Sequence, residues 1–453
     1  MDSLESITQK IVQLSISTKD IERYQVYGEK RDSAYLTSAL DSRSRWMGEI
    51  QKTEKTTLDL VWTLYFSNNR MAQKRFFVDE KTNVDELLCE MREEATPINQ
   101  HMLYTTTKHM VIREHGLEIW DPRYPNITDE DRKEVIDWNM EVIKGASSRA
   151  KGREFRLEET EKMRIFYSSD GRKSTEKSTH FSLYGEVELQ VRPPRRMGEL
   201  HTSRHFADIA SRPISIGIVR SLDSGERLTS ILEEEYTVVF EGKVVASLIS
   251  SILGCFSYKK IKEKESFLHR YIGKRIGSTK LHVIDDGSLP NGVNTRAFDA
   301  DGIPPRPRTL ICEGFIRDFY VFTQDAFVYQ EEPTGHMGID GSLWAGNIII
   351  KSGRRSLNMI LAPDEITIYC THLLAPIQFD ESTGDIEMII GCSMMREGVR
   401  RRLHGVVLKT HVVKIFDAID EIANTQRRID AVDVSDWVLR DIKFEFLQEE
   451  YGE

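Results

Sequence analysis

The chain has 453 residues, of which 40% are hydrophobic and 30% charged, the composition of an ordinary water-soluble globular protein. Its formal net charge of −10 argues against nucleic acid or an anionic membrane as the main partner. The longest apolar run, Val244–Phe256, is too short to span a bilayer.

The cysteines and the first residues give an expectation about the compartment. The five cysteines are widely separated and no Cys-x-x-Cys spacing occurs, which excludes a disulfide framework and a zinc ribbon as predictions. The opening residues MDSLESITQK lack the basic and apolar regions of a signal peptide. We therefore expect a cytoplasmic protein.

The first part of the chain predicts an α+β domain with a mixed sheet and helices over residues 1–192. Apolar residues at helical spacing predict an amphipathic helix over 3–16, and period-two alternation from Ile21 to Phe66 predicts half-buried antiparallel strands. Thr128 with Asp131 three residues later resembles a capping box at the start of a helix. The polar alternation in two later strands, Glu154–Tyr167 and Thr179–Val191, predicts that one face is exposed to solvent or meets another chain in a wet interface.

The proline-rich, charged stretch Arg192–Arg196 is the best linker candidate, so a second domain is predicted over 197–453. Its many short strands and few helices predict a strand-rich sandwich or partly open barrel. The helices predicted there include Leu222–Leu232, Val244–Leu253 and Lys414–Ile422, and the predicted strands include Ser356–Leu361.

A polar loop, Asp285–Asp301, contains four aspartates together with glycines and a proline. Such a loop could bind a divalent cation through oxygen ligands, but the Asp-x-Asp-x-Asp-Gly register of an EF-hand is missing. Aspartates and glycines that cap turns are the plainer interpretation.

Two segments, one before this loop and one that contains it, resemble the central part of the TldD/TldE (PmbA) family. They are SFLHRYIGKRIGS and IDDGSLPNGVNTRAFDADGIPPRPRTLICEGFIRDFYV. These proteins are paired subunits of a soluble zinc metallopeptidase, and the amino-acid sequence here is closer to that of the TldE subunit. The resemblance is strong over Tyr236–Phe322 and weaker in both directions, over the whole chain.

The resemblance implies that this chain lacks the catalytic zinc site. In the TldD-type subunit a His-Glu-x-x-x-His helix precedes the Asp-Asp strand, and here Ser250, Ser251 and Cys255 occupy the ligand and glutamate positions. Serine is neither a usual zinc ligand nor a general base. The family's late cysteine ligand has no counterpart in Asn424–Trp437. We therefore expect no catalytic residues and no bound cofactor in this chain, with zinc on a partner subunit.

Candidates for the peptide channel or the subunit interface lie in the resembling stretch and in a Thr-Gly-Asp motif that lines the peptide cavity in the family. They are Asp285, Asp286, Asp299, Asp301, Arg308, Thr383, Gly384 and Asp385. Two basic runs, Lys351–Arg355 and Arg396–Arg402, are predicted to be solvated strand ends, or else an anchor for a peptide carboxylate or an acidic partner surface.

The sequence thus predicts a non-catalytic, TldE-like subunit that pairs with a TldD-like zinc subunit. The expected substrate is an unfolded or modified peptide, and a dedicated biosynthetic peptide is one option. Two alternatives remain open. One is a stand-alone binding or regulatory protein, and the other is an independent metalloenzyme that uses His201, His205 and an acidic residue, since the spacing of the two histidines would put both rings on one helix face.

Overall fold

The structure is a computed structural model. It describes residues 4–40, 46–79, 81–98, 116–191, 194–222, 236–362, 365–403 and 405–446.

The N-terminal elements alternate between helices and long strands. In chain order they are α1 (Leu4–Ser17), β1 (Ile21–Leu40), β2 (Trp46–Phe66), β3 (Arg70–Phe77), α2 (Val84–Glu94), β4 (Thr96–Pro97), α3 (Asp129–Ala146), β5 (Ala150–Ser168), β6 (Lys173–Leu189), β7 (Arg195–Ser203), α4 (Phe206–Ala210) and α5 (Ser215–Leu222). The capping box predicted at Thr128 is confirmed, because its side chain accepts from the Asp131 N–H while the Asp131 carboxylate accepts from Thr128.

The remaining elements are shorter. They are β8 (Thr237–Phe240), α6 (Gly242–Ile252), α7 (Tyr258–Lys262), β9 (Val283–Asp286), β10 (Arg308–Cys312), β11 (Phe315–Ile316), α8 (Thr323–Tyr329), β12 (Asn347–Ile350), α9 (Leu357–Ile360), β13 (Thr367–Leu373), β14 (Gln378–Phe379), β15 (Asp385–Arg396), β16 (Val399–Arg402), β17 (Val406–His411), α10 (Val412–Asp417), β18 (Ile419–Ile422), β19 (Arg427–Ile429), β20 (Val432–Val434), β21 (Trp437–Leu439) and β22 (Glu445–Phe446). Short 3-10 helices occur at Tyr124–Asn126, Leu253–Phe256 and Phe267–Tyr271.

The N-terminal strands form one sheet in the order β4-β3-β2-β1-β5-β6-β7. All its described neighbours are antiparallel, so the expectation of a mixed sheet is corrected: successive strands are joined as hairpins or pair antiparallel around β1 and β5. One face packs on α1 and α2 around Trp62, whose indole N–H donates to the Ser15 hydroxyl at 3.1 Å.

The opposite face of the same sheet, here called the polar face, carries buried charges. Glu29 on β1, Arg164 on β5 and Glu176 on β6 are all nearly excluded from solvent. The prediction that β5 and β6 present a wet surface to another chain is therefore wrong for much of these strands. Both are interior strands with paired edges, and many of their polar groups are buried within the chain.

The chain divides into two compact units, each discontinuous in sequence. Unit 1 comprises Met1–Ile218, Gly287–Arg306 and Val321–Gly346, and unit 2 comprises Val219–Asp286, Pro307–Tyr320 and Asn347–Glu453. The boundary predicted between 192 and 197 does not coincide with this division. Residues 192 and 193 lie outside the described residues, but Arg195 and Arg196 of the predicted linker already pair with Leu189 and Glu188 in the N-terminal sheet.

Unit 2 contains two sheets, which agrees with the predicted strand-rich α+β architecture. Their orders are β11-β10-β9-β12-β20-β19 and β18-β21-β8-β13-β15-β17-β22, with β14 and β16 also paired to β15; the described strands form no closed barrel. Each sheet has a parallel pair, β12 with β20 and β13 with β8.

Some predicted elements differ from those observed. The predicted strand Ser356–Leu361 contains the short helix α9, and the predicted helix Lys414–Ile422 ends in strand β18. Most of the predicted helix Leu222–Leu232 lies outside the described residues. In the described part of the chain, none of the helices combines the length and the apolar character needed to cross a membrane.

Two neighbouring cations on α3 test how burial controls the value of an ion pair. Arg132 is bidentate to the buried Glu159, at 2.8 and 3.0 Å, whereas Lys133 pairs with Asp137 at 2.9 Å near the surface. We expect Arg132→Met to lower the free energy of unfolding by about 3 kcal/mol, because Glu159 stays buried without its partner. The control Lys133→Met should leave the free energy of unfolding nearly unchanged in urea denaturation, because its ion pair with Asp137 is exposed to water. Equal costs for the two variants would contradict this account.

Candidate functional site

Helix α6 contains Ser250 and Ser251, two of the three positions predicted as a degenerate metal site. Its apolar sequence buries most of its length against β8 and β13 from one sheet and β19 and β20 from the other. At its N-terminus the Gly242 N–H donates to the Asp436 carboxylate at 2.8 Å, and Arg427 forms an ion pair with the same carboxylate. The predicted core helix is thus confirmed, with an anion at its positive end.

The three positions predicted as a degenerate metal site do not form a zinc site. Ser250 is exposed on the last turn, and the Ser251 hydroxyl donates to the Leu248 carbonyl at 2.8 Å. Helix α6 ends at Ile252, so Cys255 lies on the following 3-10 helix, fully buried. Burial, with the Glu381 carboxylate nearby, raises the pKa of the Cys255 thiol to about 12.

Zinc needs about three nitrogen, sulfur or carboxylate ligands, and a thiol must lose its proton to bind it. Two serines and a buried protonated thiol therefore do not fit zinc at this position. Among the residues that the structure describes, no cluster of three or more His, Cys, Asp and Glu side chains has the geometry to hold a metal ion.

The Thr383-Gly384-Asp385 motif forms a tight turn between β14 and β15. The Asp380 carboxylate accepts the backbone N–H groups of Ser382 and Thr383, at 2.8 and 3.2 Å, and the Gly384 N–H donates to the Asp380 carbonyl at 2.8 Å. Gly384 has φ +86°, and a Cβ there would lie 2.6 Å from the His411 ring. Only glycine fits this turn without strain.

His411 fastens the turn to α10. Its Nδ1 accepts the Val413 N–H at 3.2 Å, which leaves the proton on Nε2, and Nε2 donates to the Thr383 carbonyl at 2.9 Å. The Val412 N–H also donates to the Gly384 carbonyl at 2.9 Å. The imidazole thus bridges α10 and the turn and positions the turn.

The structure brings two predicted features together, Cys255 and the Thr-Gly-Asp turn. The Glu381 carbonyl lies 4.0 Å from the Cys255 sulfur and accepts the Phe267 N–H at 2.7 Å. The Glu381 side chain pairs with Lys260. The segment SFLHRYIGKRIGS therefore packs against the motif more than 100 residues later in the chain.

Beside this turn lies an open groove of about 630 Å³. Its lining mixes cations and carboxylates, and comprises Gln378, Phe379, Asp380, Asp385, Ile386, Glu387, Lys409, Thr410, His411 and Lys414. Lys409 and Glu387 form an ion pair at 3.5 Å across it. Such a lining can bind the polar backbone and charged ends of a peptide, but it offers no nucleophile with an adjacent base.

The four aspartates predicted as one loop are divided between the two units. In unit 2, Asp285 is fully buried on β9 and accepts the Tyr320 hydroxyl at 2.6 Å. The Asp286 backbone carbonyl accepts the Asn347 side-chain amide at 2.8 Å. Arg308, the neighbouring candidate, forms an ion pair with Asp318 at 3.2 Å.

Asp299 and Asp301 lie in unit 1. The Asp299 carboxylate accepts the N–H groups of Asp301, Ile303 and Met337, each at 2.9 Å. Burial and the adjacent Asp301 carboxylate raise the pKa of Asp299 to about 7. These contacts match the turn-capping interpretation of Asp299. Within the described residues, the four aspartates are not found as a group that could hold a cation.

The two histidines of the alternative metalloenzyme do not share a helix. His201 lies in β7, and His205 precedes α4 with its Nε2 3.1 Å from the Glu118 carbonyl. A spacing of four residues places side chains on one helical face only if the segment is helical. The HxxxH interpretation is therefore wrong, because the segment pairs with β6 as a strand.

Sequence reasoning missed how the basic run Arg396–Arg402 is held. The Arg400 guanidinium donates to the Ser393 hydroxyl at 2.7 Å, pairs with Glu241 at 3.1 Å and stacks 4.8 Å from the Tyr369 ring centre. Arg400 is therefore not simply a solvated strand end. Only the register of β15 with β16 reveals these partners, since they come from three separate strands or loops.

Substituting two glycines with positive φ distinguishes the cost of a steric clash from the cost of backbone strain. Gly384 faces His411 and Phe267, whereas Gly398 (φ +73°) in the β15–β16 turn has open space around a Cβ position. Gly398→Ala should cost about 1 kcal/mol, the conformational term alone. We expect Gly384→Ala to cost at least about 1 kcal/mol more, because the His411–Thr383 bond must break. Chemical denaturation of both variants measures the difference, and equal costs would refute the steric constraint.

Thiol labelling tests the state of Cys255. Cys89 is exposed, whereas Cys255 is buried and its thiol has a strongly raised pKa. With iodoacetamide at pH 8, Cys89 should be modified quickly and Cys255 only on unfolding. Peptide mass mapping reads both sites in one sample. Rapid labelling of Cys255 in the folded chain would show that the thiol is accessible and activated.

Comparison with known proteins agrees with this geometry. Residues 233–445 match the family model for the PmbA/TldA metallopeptidase C-terminal domain. The metalloprotease PmbA of Escherichia coli O157:H7 is 25% identical over 145 residues, a match that spans 32% of this chain and only 30% of that relative.

Three solved structures share the fold across nearly the whole chain. A protein described as a modulator of DNA gyrase from Bacteroides thetaiotaomicron has TM-score 0.80 and 17% identity, covering 99% of this chain and 100% of that one. One from Thermotoga maritima has TM-score 0.81 and 13% identity, covering 97% and 99%. TldE from Thermococcus kodakarensis has TM-score 0.80 and 15% identity, covering 96% and 99%. Residues 233–445 thus carry the C-terminal domain of the PmbA/TldA metallopeptidase family, and the fold of the chain is the one that these solved structures share.

Proposed function

We propose that this chain is a non-catalytic, TldE-like subunit that works in a heterodimer with a TldD-like zinc subunit to cleave or trim peptides. The observation that carries the proposal is the state of Ser250, Ser251 and Cys255. A family scaffold is present, but the helix that would hold the metal offers neither ligands nor a general base.

Hydrolysis of a peptide bond by a zinc enzyme needs a metal-bound water and a carboxylate that removes its proton. The partner would supply both. This chain would contribute surface to the peptide cavity, and the groove beside the Thr383-Gly384-Asp385 turn is its best described candidate. Lys409 and Lys414 can bind a peptide carboxylate there, while Asp385 and Glu387 can bind an amino terminus.

The Thr-Gly-Asp turn supports a positioning role. Its shape is fixed by the Asp380 carboxylate, the Gly384 backbone and the His411 ring, so the adjacent groove has a preformed wall. Preformed walls reduce the entropy lost when a flexible peptide binds. An unfolded or modified peptide suits such a groove better than a folded protein surface, because an extended chain exposes both its backbone and its ends.

Co-expression with a TldD-like subunit from the same genome tests the proposal. We expect a stable complex that buries over about 2,000 Å², with peptidase activity only in the mixture. Elemental analysis should find well below one zinc per isolated chain and about one per heterodimer, on the partner. Replacing the partner's catalytic glutamate should abolish activity, whereas Cys255→Ser in this chain should leave it nearly unchanged.

Other outcomes identify the alternatives. A chain that ignores the zinc subunit in sedimentation and never supports peptidase activity would instead be a stand-alone binding or regulatory protein. Tightly bound zinc and peptidase activity in the isolated chain would make it an independent metalloenzyme. Either result overturns the heterodimer proposal.

A further inference from the structure

The polar face of the N-terminal sheet gathers basic side chains at adjacent positions. Lys162 on β5 is directly opposite Ser178 on β6, and Arg164 is opposite Glu176 two residues further along. Because side chains alternate between faces, all four lie on the same side of the sheet. Directly opposed residues in such a ladder have Cβ atoms about 5 Å apart, so Lys162 and Ser178 are close neighbours.

Several donors in this cluster have no partner in the part of the chain that the structure describes. Arg164 is 1% exposed, and its Nη2 pairs with Glu176, but its Nε and Nη1 atoms have no hydrogen bond. The Ser178 hydroxyl is fully buried and also has none. Buried polar groups are normally hydrogen-bonded, and each one left without a partner costs about 1–3 kcal/mol.

The nearby carboxylates are already committed. Glu176 uses one oxygen for Arg164 and the other for the Ala297 N–H. Glu29 likewise uses one oxygen for Arg31 and the other for the Tyr27 hydroxyl. Among the described residues neither acid forms an ion pair with Lys162, although the Glu29 carboxylate is near enough to act against the lowering of the pKa of Lys162 by burial.

A further buried cation adds to the excess positive charge. Arg204 is 4% exposed and donates only to the neutral carbonyls of Thr179, Gly292 and Thr295, at 2.9–3.1 Å. Burial and the cations around it lower the pKa of Arg204 to about 10, and burial lowers that of Lys162 to about 8. The three cations Lys162, Arg164 and Arg204 outnumber the two carboxylates of Glu29 and Glu176 beside them, and an anion placed among the cations would offset the cost of burying the unbalanced charge.

We propose that the polar face holds a small oxyanion, a carboxylate or a phosphate, bound by Lys162, the free N–H groups of Arg164 and the hydroxyl of Ser178. These groups are all donors, and together they match the acceptor oxygens and negative charge of such an anion. Lys162 is only partly buried, so the site has access to solvent. The site lies within unit 1 and does not depend on the proposed peptidase partnership.

Titration calorimetry of the full-length chain, in chloride at constant ionic strength, tests the site with sodium phosphate and with sodium acetate as probes. We expect saturable binding of at least one anion and a rise in melting temperature. Saturation by phosphate alone would identify a phosphate site, and saturation by acetate a carboxylate site. Lys162→Met and Ser178→Ala should each weaken binding about tenfold, the loss of one good hydrogen bond to a charged group.

Lys177→Met is the matched control. It also removes one lysine charge, at the residue of β6 next to Ser178, but the Lys177 side chain points to the other face of the sheet and pairs with Glu161. Its affinity should equal that of the wild type. If Lys162→Met fails to fold, the rate at which Lys162 of the wild type is acylated can be measured by mass mapping, with and without the anion. The bound anion should slow this acylation at least severalfold. Absence of saturable binding, or binding that Ser178→Ala leaves unchanged and that gives no protection, would overturn the proposal.

Discussion

Unit 1 depends on one buried carboxylate, that of Glu176. One of its oxygens pairs with Arg164 on the neighbouring strand, and the other accepts the backbone N–H of Ala297, 121 residues later in the chain. The next residue, Phe298, then packs its ring 6.4 Å from those of Tyr27 and Phe166. Charge pairing, a backbone hydrogen bond and aromatic packing thus join the sheet to the segment Gly287–Arg306. Such a buried charge is stable only while all its partners are present.

The sequence predicted best what is decided locally. The spacing of apolar residues in α1 and the capping box at Thr128 depend on neighbours within one or two helical turns, and both are confirmed. The polar alternation of β5 was misread as exposure, because period two says which residues share a face but not what covers that face. Arg164 and Glu176 are covered by partners from distant segments, which no local pattern reveals.

The sequence predicted only part of the candidate site, because the rest depends on contacts between segments that are distant along the chain. The Thr383-Gly384-Asp385 motif and Cys255 were found by resemblance, and the structure places them beside each other through Glu381. Asp285 and Asp299 lie close in sequence, yet they belong to different compact units and bind different partners, Tyr320 and backbone N–H groups. Closeness along the chain therefore suggested a cluster that the fold divides. His411 was missed because its role depends on a tautomer set by tertiary hydrogen bonds.

The discontinuity of unit 1 has a consequence for the order of biosynthesis. The strands β1 to β7 emerge from the ribosome early, but the segments that cover their polar face end only at Gly346. Until then Glu176 and Arg164 are exposed, and the hairpins lack their final cover. Vectorial synthesis therefore cannot complete this unit first, and long-range closure of this kind slows folding. The nascent chain must stay soluble through that delay. The charges on the polar face, which are buried later, keep the uncovered sheet hydrated and less prone to aggregate.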